Sequence, residues 1–259
     1  MLSLKDIKNL EKSKKARDEQ GLFITEGIKL FQEAPQDDIV CVVTTARFAA
    51  EHPEAMARIP RGADVVADLK EDRFAGLSDT KSPQGVLTVQ RKTVFDREKV
   101  LGGKAPFILF LENLQDPGNA GTILRTAEAA GVDGIFLLEG SVDMYNPKTI
   151  RSTMGSIFRV PHFYVADTAS FLAELKDRGI RSYAAHLGGK LDYTEPDYTA
   201  GTAFLIGNES RGLTDTAAEC ADTLVKIPMA GRVESLNAAM ASGILMFEAG
   251  RQRRIRQRQ

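Results

Sequence analysis

Cysteine is scarce in this chain of 259 residues: only Cys41 and Cys220 occur, far apart and each in an apolar stretch. That excludes a many-bridged disulfide scaffold and suggests two buried free thiols in a reducing compartment, with a single disulfide as the lesser reading. Histidine is as sparse. His52, His162 and His186 have no carboxylate or cysteine at ligand spacing, so no metal site is expected. Long apolar runs are missing too; none nears the roughly 20 residues that span a bilayer. The opening MLSLKDIKNLEKSKKARDEQ lacks the apolar stretch of a secretory signal. A cytoplasmic protein with no membrane partner is the expectation. With 34 Lys and Arg against 35 Asp and Glu, the net charge is −1. A uniformly basic nucleic-acid binder is thereby excluded, and any RNA or DNA would be held by local patches. Glycine-rich phosphate loops are also missing. There is no G-x-G-x-x-G, and Gly189-Lys190 is followed by Leu191 instead of Ser or Thr. A nucleotide-dependent oxidoreductase and an ATP hydrolase lose support. So does a Ser–His–Asp hydrolase, for no serine sits in a G-x-S-x-G elbow.

What is present is an ordinary globular composition, 43% hydrophobic and 27% charged, enough for one or two domains. Leu4, Ile7 and Leu10 recur at helical spacing among lysines and predict a helix over roughly the first 20 residues. LFITEG after Gly21 predicts a strand, Ile28 to Ala34 a helix, and IVCVVTT (39–45) a strand buried on both faces. ADVVADL from Ala63 and GVLTVQRK from Gly85 read as further strands, with helices over Phe48–Arg58 and Lys70–Leu77. This alternation predicts a small α/β domain. Thr93–Pro106, charged and then Gly- and Pro-bearing, reads as a linker. Beyond it come the strands FILFLEN, GIFLLEG, a run around Arg159–Val165, RSYAAHL, TAFLIG and TLVKIPM. Helices fit Gly121–Ala130, Thr168–Arg178 and Ser235–Arg254, which together predict a mostly parallel sheet covered on both faces.

Three loops follow apolar strands, where ligands bind in open parallel sheets. In ENLQDPGNAGTILRTAEAAG, Asp116-Pro117-Gly118 is turn chemistry and Asn119 is placed to cap the next helix. Arg125 falls in the first two turns of that helix, within reach of a ligand at the loop. A loop, a cap and a surface arginine would read the same way. In FLIGNESRGL, Gly207 and Gly212 bracket a polar loop with Glu209 at its tip, and Gly207 admits a close ligand. A plain turn accounts for both glycines but not for Asn208-Glu209. In IPMAGRVESLNAAMASGILMFEAG, Ser235 is a natural N-cap. Ala238, Ala239, Ala241, Ser242 and Gly243 keep the first turns small, which suits a pocket, a dimer interface or plain helix packing.

In order along the chain, N-x-G-x-x-x-R (Asn119, Gly121, Arg125), I-G-N-E-x-x-G (Ile206–Gly212) and I-P-M-x(5)-S-L-N (Ile227–Asn237) resemble three motifs of one family. It is the SpoU-type, TrmH-like RNA ribose 2′-O-methyltransferases of the SPOUT superfamily. RSTMGSIFRVP (151–161) is similar to the family's segment between its first two motifs. Phe23, Glu26, Gly27 and Ser82–Val86 resemble its substrate-binding domain. The resemblance covers nearly the whole chain. It implies an α/β fold of two parts: a small N-terminal ribosomal-protein-like α/β domain, 1–96, that binds RNA, and a C-terminal parallel-sheet catalytic domain, 97–259, with a deep trefoil knot. It implies a homodimer, and ribosomal RNA ahead of transfer RNA as the partner. The cofactor implied is S-adenosylmethionine, held by Leu205, Gly207, Ile227, Met229, Leu236 and Ala238. Arg125, Asn119, Glu209, Ser235 and Asn237 are the catalytic residues implied, with no metal.

Methyl transfer from a sulfonium needs little electrophilic help, because the leaving group departs neutral. The enzyme's work is then positioning and activating the hydroxyl. The family gives the arginine matching Arg125 a part in that activation. A guanidinium, which holds its proton tightly, is better suited to clamp the phosphate beside the target ribose. Asn119 and Glu209 would orient Arg125 or the ribose, and Ser235 and Asn237 would shape the third loop. RNA contact is expected from Lys5, Lys8, Lys12, Lys14, Lys15 and Arg17 near the start, and from Arg251, Arg253, Arg254, Arg256 and Arg258 at the end. A solvated face and a disordered tail would look alike. The alternative is a non-catalytic RNA-binding protein on the same fold, against which the intact set Asn119, Arg125, Glu209 and Asn237 weighs.

Overall fold

The structure, a computed structural model, describes residues 2–258. In chain order the first elements are α1 (Leu4–Lys12), α2 (Lys14–Gln20), β1 (Leu22–Glu26), α3 (Ile28–Glu33), β2 (Ile39–Thr45), α4 (Ala46–Glu51) and α5 (Pro53–Met56). They are followed by β3 (Asp64–Leu69), α6 (Glu71–Leu77), β4 (Val86–Arg91), α7 (Arg97–Leu101), β5 (Phe107–Leu111), α8 (Pro117–Ala130) and β6 (Gly134–Leu138). Then come α9 (Pro147–Thr153), β7 (His162–Val165), α10 (Thr168–Asp177), β8 (Arg181–Ala185), β9 (Leu191–Asp192) and β10 (Thr202–Ile206). Last are α11 (Asp215–Cys220), β11 (Thr223–Lys226) and α12 (Ala238–Arg256). The chain up to Val94 forms one compact unit with Asp143–Phe158; Phe95–Val142 and the chain from Arg159 form the other.

The first unit is a four-stranded sheet in the order β1-β4-β2-β3, parallel only between β2 and β3. Ile24, Cys41, Val43, Leu87 and Val89 on one face pack against Ile7, Leu10, Ala16, Phe74 and Leu77. The amphipathic opening is two helices, not one. Ser13 adopts an extended backbone and its Oγ accepts the Ala16 N–H, which ends α1 and starts α2. The helix expected over Phe48–Arg58 is likewise split, at His52, because the residue before Pro53 is pushed out of helical geometry. Thr25, Thr88 and Gln90 are buried in the same sheet, with Gln90 Nε2 donating to both threonine hydroxyls at 2.8 Å.

Asp143–Phe158, which sequence reading leaves in the catalytic domain, packs here. Phe23 meets Tyr145 and Phe158 at ring-centre distances of 4.8 and 6.3 Å. Arg17, 2% exposed, donates to Asp143 Oδ2 at 2.6 Å and to Leu10 O at 2.7 Å. It is a buried structural cation, so it leaves the expected RNA-binding patch. Of the two thiols, Cys41 is buried and Cys220 is exposed at the end of α11. The expectation of two buried thiols therefore fails for Cys220, which ends a short surface helix. Burial, with Asp64 nearby, raises the Cys41 pKa to about 11.

The second unit is a seven-stranded sheet, β7-β6-β5-β10-β8-β11-β9, in which every neighbouring pair is parallel. β5 and β10 are buried along their whole length, as a sheet covered on both faces requires. α12 lays Ala238, Ala239, Ser242 and Gly250 inward, and at Gly250 an added Cβ would lie 3.3 Å from the Ala130 carbonyl at the end of α8. Its small residues thus serve helix packing at one end and the site at the other. The arginine-rich end is helical as far as Arg256. Arg253 donates to the carbonyls of Ala105 at 2.8 Å, Ala200 at 2.6 Å and Tyr198 at 3.0 Å, and so it too is structural. Burial pulls its pKa below the ordinary arginine value, partly offset by Asp133.

Candidate active site

A cavity of about 340 Å³ opens where the chain leaves β8, β10 and β11, a size suited to a small organic ligand. Its walls are Ala185–Leu187, Ile206–Leu213, Val225–Ile227 with Met229, and the approach to α12 from Glu234.

The first loop is set by a cap other than the expected one. Asp116 Oδ1 accepts the Asn119 N–H at 2.7 Å, and Pro117 takes the first helical position, where its missing N–H costs nothing. α8 therefore begins at Pro117 instead of Gly121, and the Asn119 side chain is released from capping. The third loop is corrected in the same way. Asn237, not Ser235, caps α12, its Oδ1 accepting the N–H groups of Ala239 at 2.9 Å and Met240 at 3.3 Å.

That cap gives a direction to everything attached to it. With its oxygen held by the helix, Asn237 presents Nδ2, which donates to Asn119 Oδ1 at 2.9 Å. Asn119 must then donate onward, and its Nδ2 reaches Glu209 Oε1 at 3.1 Å. Glu209 also accepts the N–H groups of Asp116 at 3.0 Å and Gln115 at 3.3 Å. Burial alone would raise its pKa. Hydrogen bonds from Asn119 and from the backbone N–H groups of Glu209, Asp116 and Gln115 outweigh burial and hold it below the ordinary carboxylate value. Glu209 is thus the ionised end of a one-way relay that ties all three loops.

Gly207 is required by the backbone. A Cβ there would lie 2.1 Å from the Gly212 carbonyl carbon, so only glycine lets the chain pass itself. Asn208 and Gly212 exchange backbone hydrogen bonds at 2.9 Å in both directions. Asn208 Nδ2 donates to Asn113 O at 2.9 Å. Asn113 has a φ of 57°, a left-handed conformation that asparagine tolerates.

Of the residues expected to hold a cofactor, Gly207, Ile227, Met229, Leu236 and Ala238 line the cavity, joined by Glu209 and Ser235. Leu205 does not. It lies fully buried in the sheet core, because β10 has not yet ended at that point. Asn119 and Asn237 reach the cavity wall through Glu209. Arg125 stands apart on α8, exposed and without a hydrogen bond or ion pair among the described residues. Sequence reading missed His186 and Leu187, which form the wall after β8. Their signal was available: RSYAAHL is an apolar strand running into Gly188-Gly189, and its end deserved the same weight as the other three.

Residues 106–247 match the SpoU rRNA Methylase family, and residues 3–88 match the MRM3-like substrate binding domain. The chain belongs to the SpoU rRNA methylase family. Among curated relatives of this SpoU methylase, the 23S rRNA (guanosine(2553)-2'-O)-methyltransferase RlmP of Bacillus subtilis (strain 168) is 32% identical over 244 residues, 94% of each chain. Among solved structures, the AdoMet-bound rRNA methyltransferase from Sinorhizobium meliloti has a TM-score of 0.84 and 35% identity, over 96% of this chain and 94% of that one. The SpoU methyltransferase AviRb from Streptomyces viridochromogenes, in complex with AdoMet, has a TM-score of 0.86 and 26% identity, over 96% and 97%. The α/β fold with its parallel sheet is that of these SpoU methyltransferases.

Proposed function

We propose that this SpoU methylase transfers a methyl group from S-adenosylmethionine to a ribose 2′-hydroxyl of RNA, with ribosomal RNA as the substrate class. The observation that carries this reading is the Asn237–Asn119–Glu209 relay at the mouth of a cavity shaped by three strand ends. The cavity fits the cofactor. Ile227, Met229, Leu236 and Ala238 offer an apolar lining for an adenosyl group, and Glu209 and Glu234 add carboxylates that would suit a cationic sulfonium. Gly207, Ile227, Met229, Leu236 and Ala238 would hold it. Bound there, it supplies a methyl group on a positively charged sulfur that leaves neutral.

The protein's share is positioning. Arg125, exposed and unpaired among the described residues, is a cation free to clamp the phosphate beside the target ribose. Glu209 and Asn119 orient the ribose, while Ser235 and Asn237 shape the third loop. The first unit, with the exposed Lys5, Lys12, Lys14 and Lys15, binds the RNA. Met240 and Phe247, 61% and 46% exposed on α12, are covered by a second copy in a homodimer. The trefoil knot belongs to the same reading. The protein works in the cytoplasm.

Arg125→Ala tests the assignment. Methyl transfer should fall by at least about 100-fold, the scale of removing one group that stabilises a transition state, while calorimetry shows S-adenosylmethionine binding unchanged. Equal loss of both would make Arg125 structural. Mapping 2′-O-methyl sites in cells with and without the protein identifies the nucleotide, and an unchanged map would overturn the activity.

A further inference from the structure

Among the described residues, Glu112 is the only Asp or Glu in the buried class, 1% exposed at the end of β5. A buried carboxylate is expensive unless every lone pair is used, and no cation pairs with this one among the described residues. Its Oε1 accepts the hydroxyls of Thr168 at 2.8 Å and Thr214 at 2.9 Å, and its Oε2 accepts the Thr214 N–H at 2.8 Å.

Those partners place Glu112 beneath the loop that walls the cavity. Its own N–H donates to Ile206 O at 2.8 Å, the next residue's carbonyl accepts Asn208 Nδ2 at 2.9 Å, and its carboxylate holds Thr214. Both ends of the 206–214 loop are therefore stitched to two consecutive residues, while Glu209 at its tip returns to Gln115 and Asp116. Thr168, at the start of α10, donates to the same Oε1 as the Thr214 hydroxyl. Glu112 is not part of the cavity lining.

We propose that Glu112 is a positioning residue: without touching the ligand, it sets the seat of the 206–214 loop and thereby the affinity of the cavity for S-adenosylmethionine. This rests on the reading of the cavity given above.

The test titrates S-adenosylmethionine into the full chain by calorimetry, with Tm measured alongside. Glu112→Leu removes all three accepted hydrogen bonds and should weaken binding by about tenfold or more at temperatures well below its Tm. Glu112→Gln keeps the shape: its oxygen takes the Thr214 N–H and its NH₂ donates to the two threonine hydroxyl oxygens. It should bind within about threefold of the wild type. Unchanged affinity in Glu112→Leu, or equal losses in the two variants, would overturn the proposal. Should Glu112→Leu fail to fold, Thr168→Val acts on the loop through Glu112 alone. About threefold weaker binding there supports the proposal, and unchanged binding sinks it. A wild-type chain that does not bind S-adenosylmethionine removes the cavity assignment itself, an outcome distinct from any variant effect.

Discussion

The mixed sheet of the first unit buries Thr25, Thr88 and Gln90 within its strands and closes them on one another. In the parallel sheet of the second unit, β5 and β6 carry no polar side chain. Beyond the strand ends polar groups gather, and there Asn237, Asn119 and Glu209 are linked in one direction. A network closed inside a sheet specifies packing. One that ends on an ionised carboxylate at a cavity wall leaves a group able to act on a ligand. The two structural arginines repeat the contrast: the buried Arg17 is paired with a carboxylate, whereas the half-buried Arg253 is a clamp on neutral carbonyls alone.

Replacing each of those arginines by alanine is the sharpest way to break the comparison. Arg17→Ala strands the Asp143 carboxylate and should cost about 3–5 kcal/mol in chemical unfolding. Arg253→Ala leaves carbonyls that water can partly reach and should cost less, about 1.5–3 kcal/mol. Equal costs would mean that the two cations do the same job. A second prediction concerns acid. Because the folded pKa of Glu209 lies below its ordinary value, its stabilisation is fully present above the unfolded Glu pKa of about 4.3 and is lost as pH falls through the folded value. The Tm gap between wild type and Glu209→Gln should therefore be widest near neutral pH and close in acid; a gap independent of pH refutes the ionised end of the relay. The smallest effect is expected at the surface of the first unit. Changing Lys12, Lys14 and Lys15 to Gln should move stability by less than about 0.5 kcal/mol. It should also lower the log–log salt slope of RNA binding by about one unit for each phosphate that is no longer neutralised. An unchanged slope would take those lysines out of the RNA interface.

The strands were readable from sequence because a fully buried strand writes itself as an apolar β-branched run; IVCVVTT is one such case. The loops after them were readable as a site because the spacing of Asn119, Glu209 and Asn237 matched a family. The caps were not. Asn119 and Ser235 look like caps by residue type, but Asp116 and Asn237 take those positions, since a cap depends on backbone dihedrals that neighbouring residues set. Neither was the structural role of Arg17 and Arg253 visible. In a row of basic residues, nothing local distinguishes the side chain that will turn back onto the protein.

By itself the sequence determined the order of the main strands, the polar loops at the strand ends and the near-neutral charge, because these follow from periodicity and composition. Only the tertiary structure decided the rest. It sends Asp143–Phe158 to the first unit, gives Arg17 and Arg253 structural partners and gives the Asn237–Asn119–Glu209 relay its direction. The reason is that each rests on at least one hydrogen bond between residues 90 to 148 positions apart in the chain, and no local pattern encodes a partner at that range.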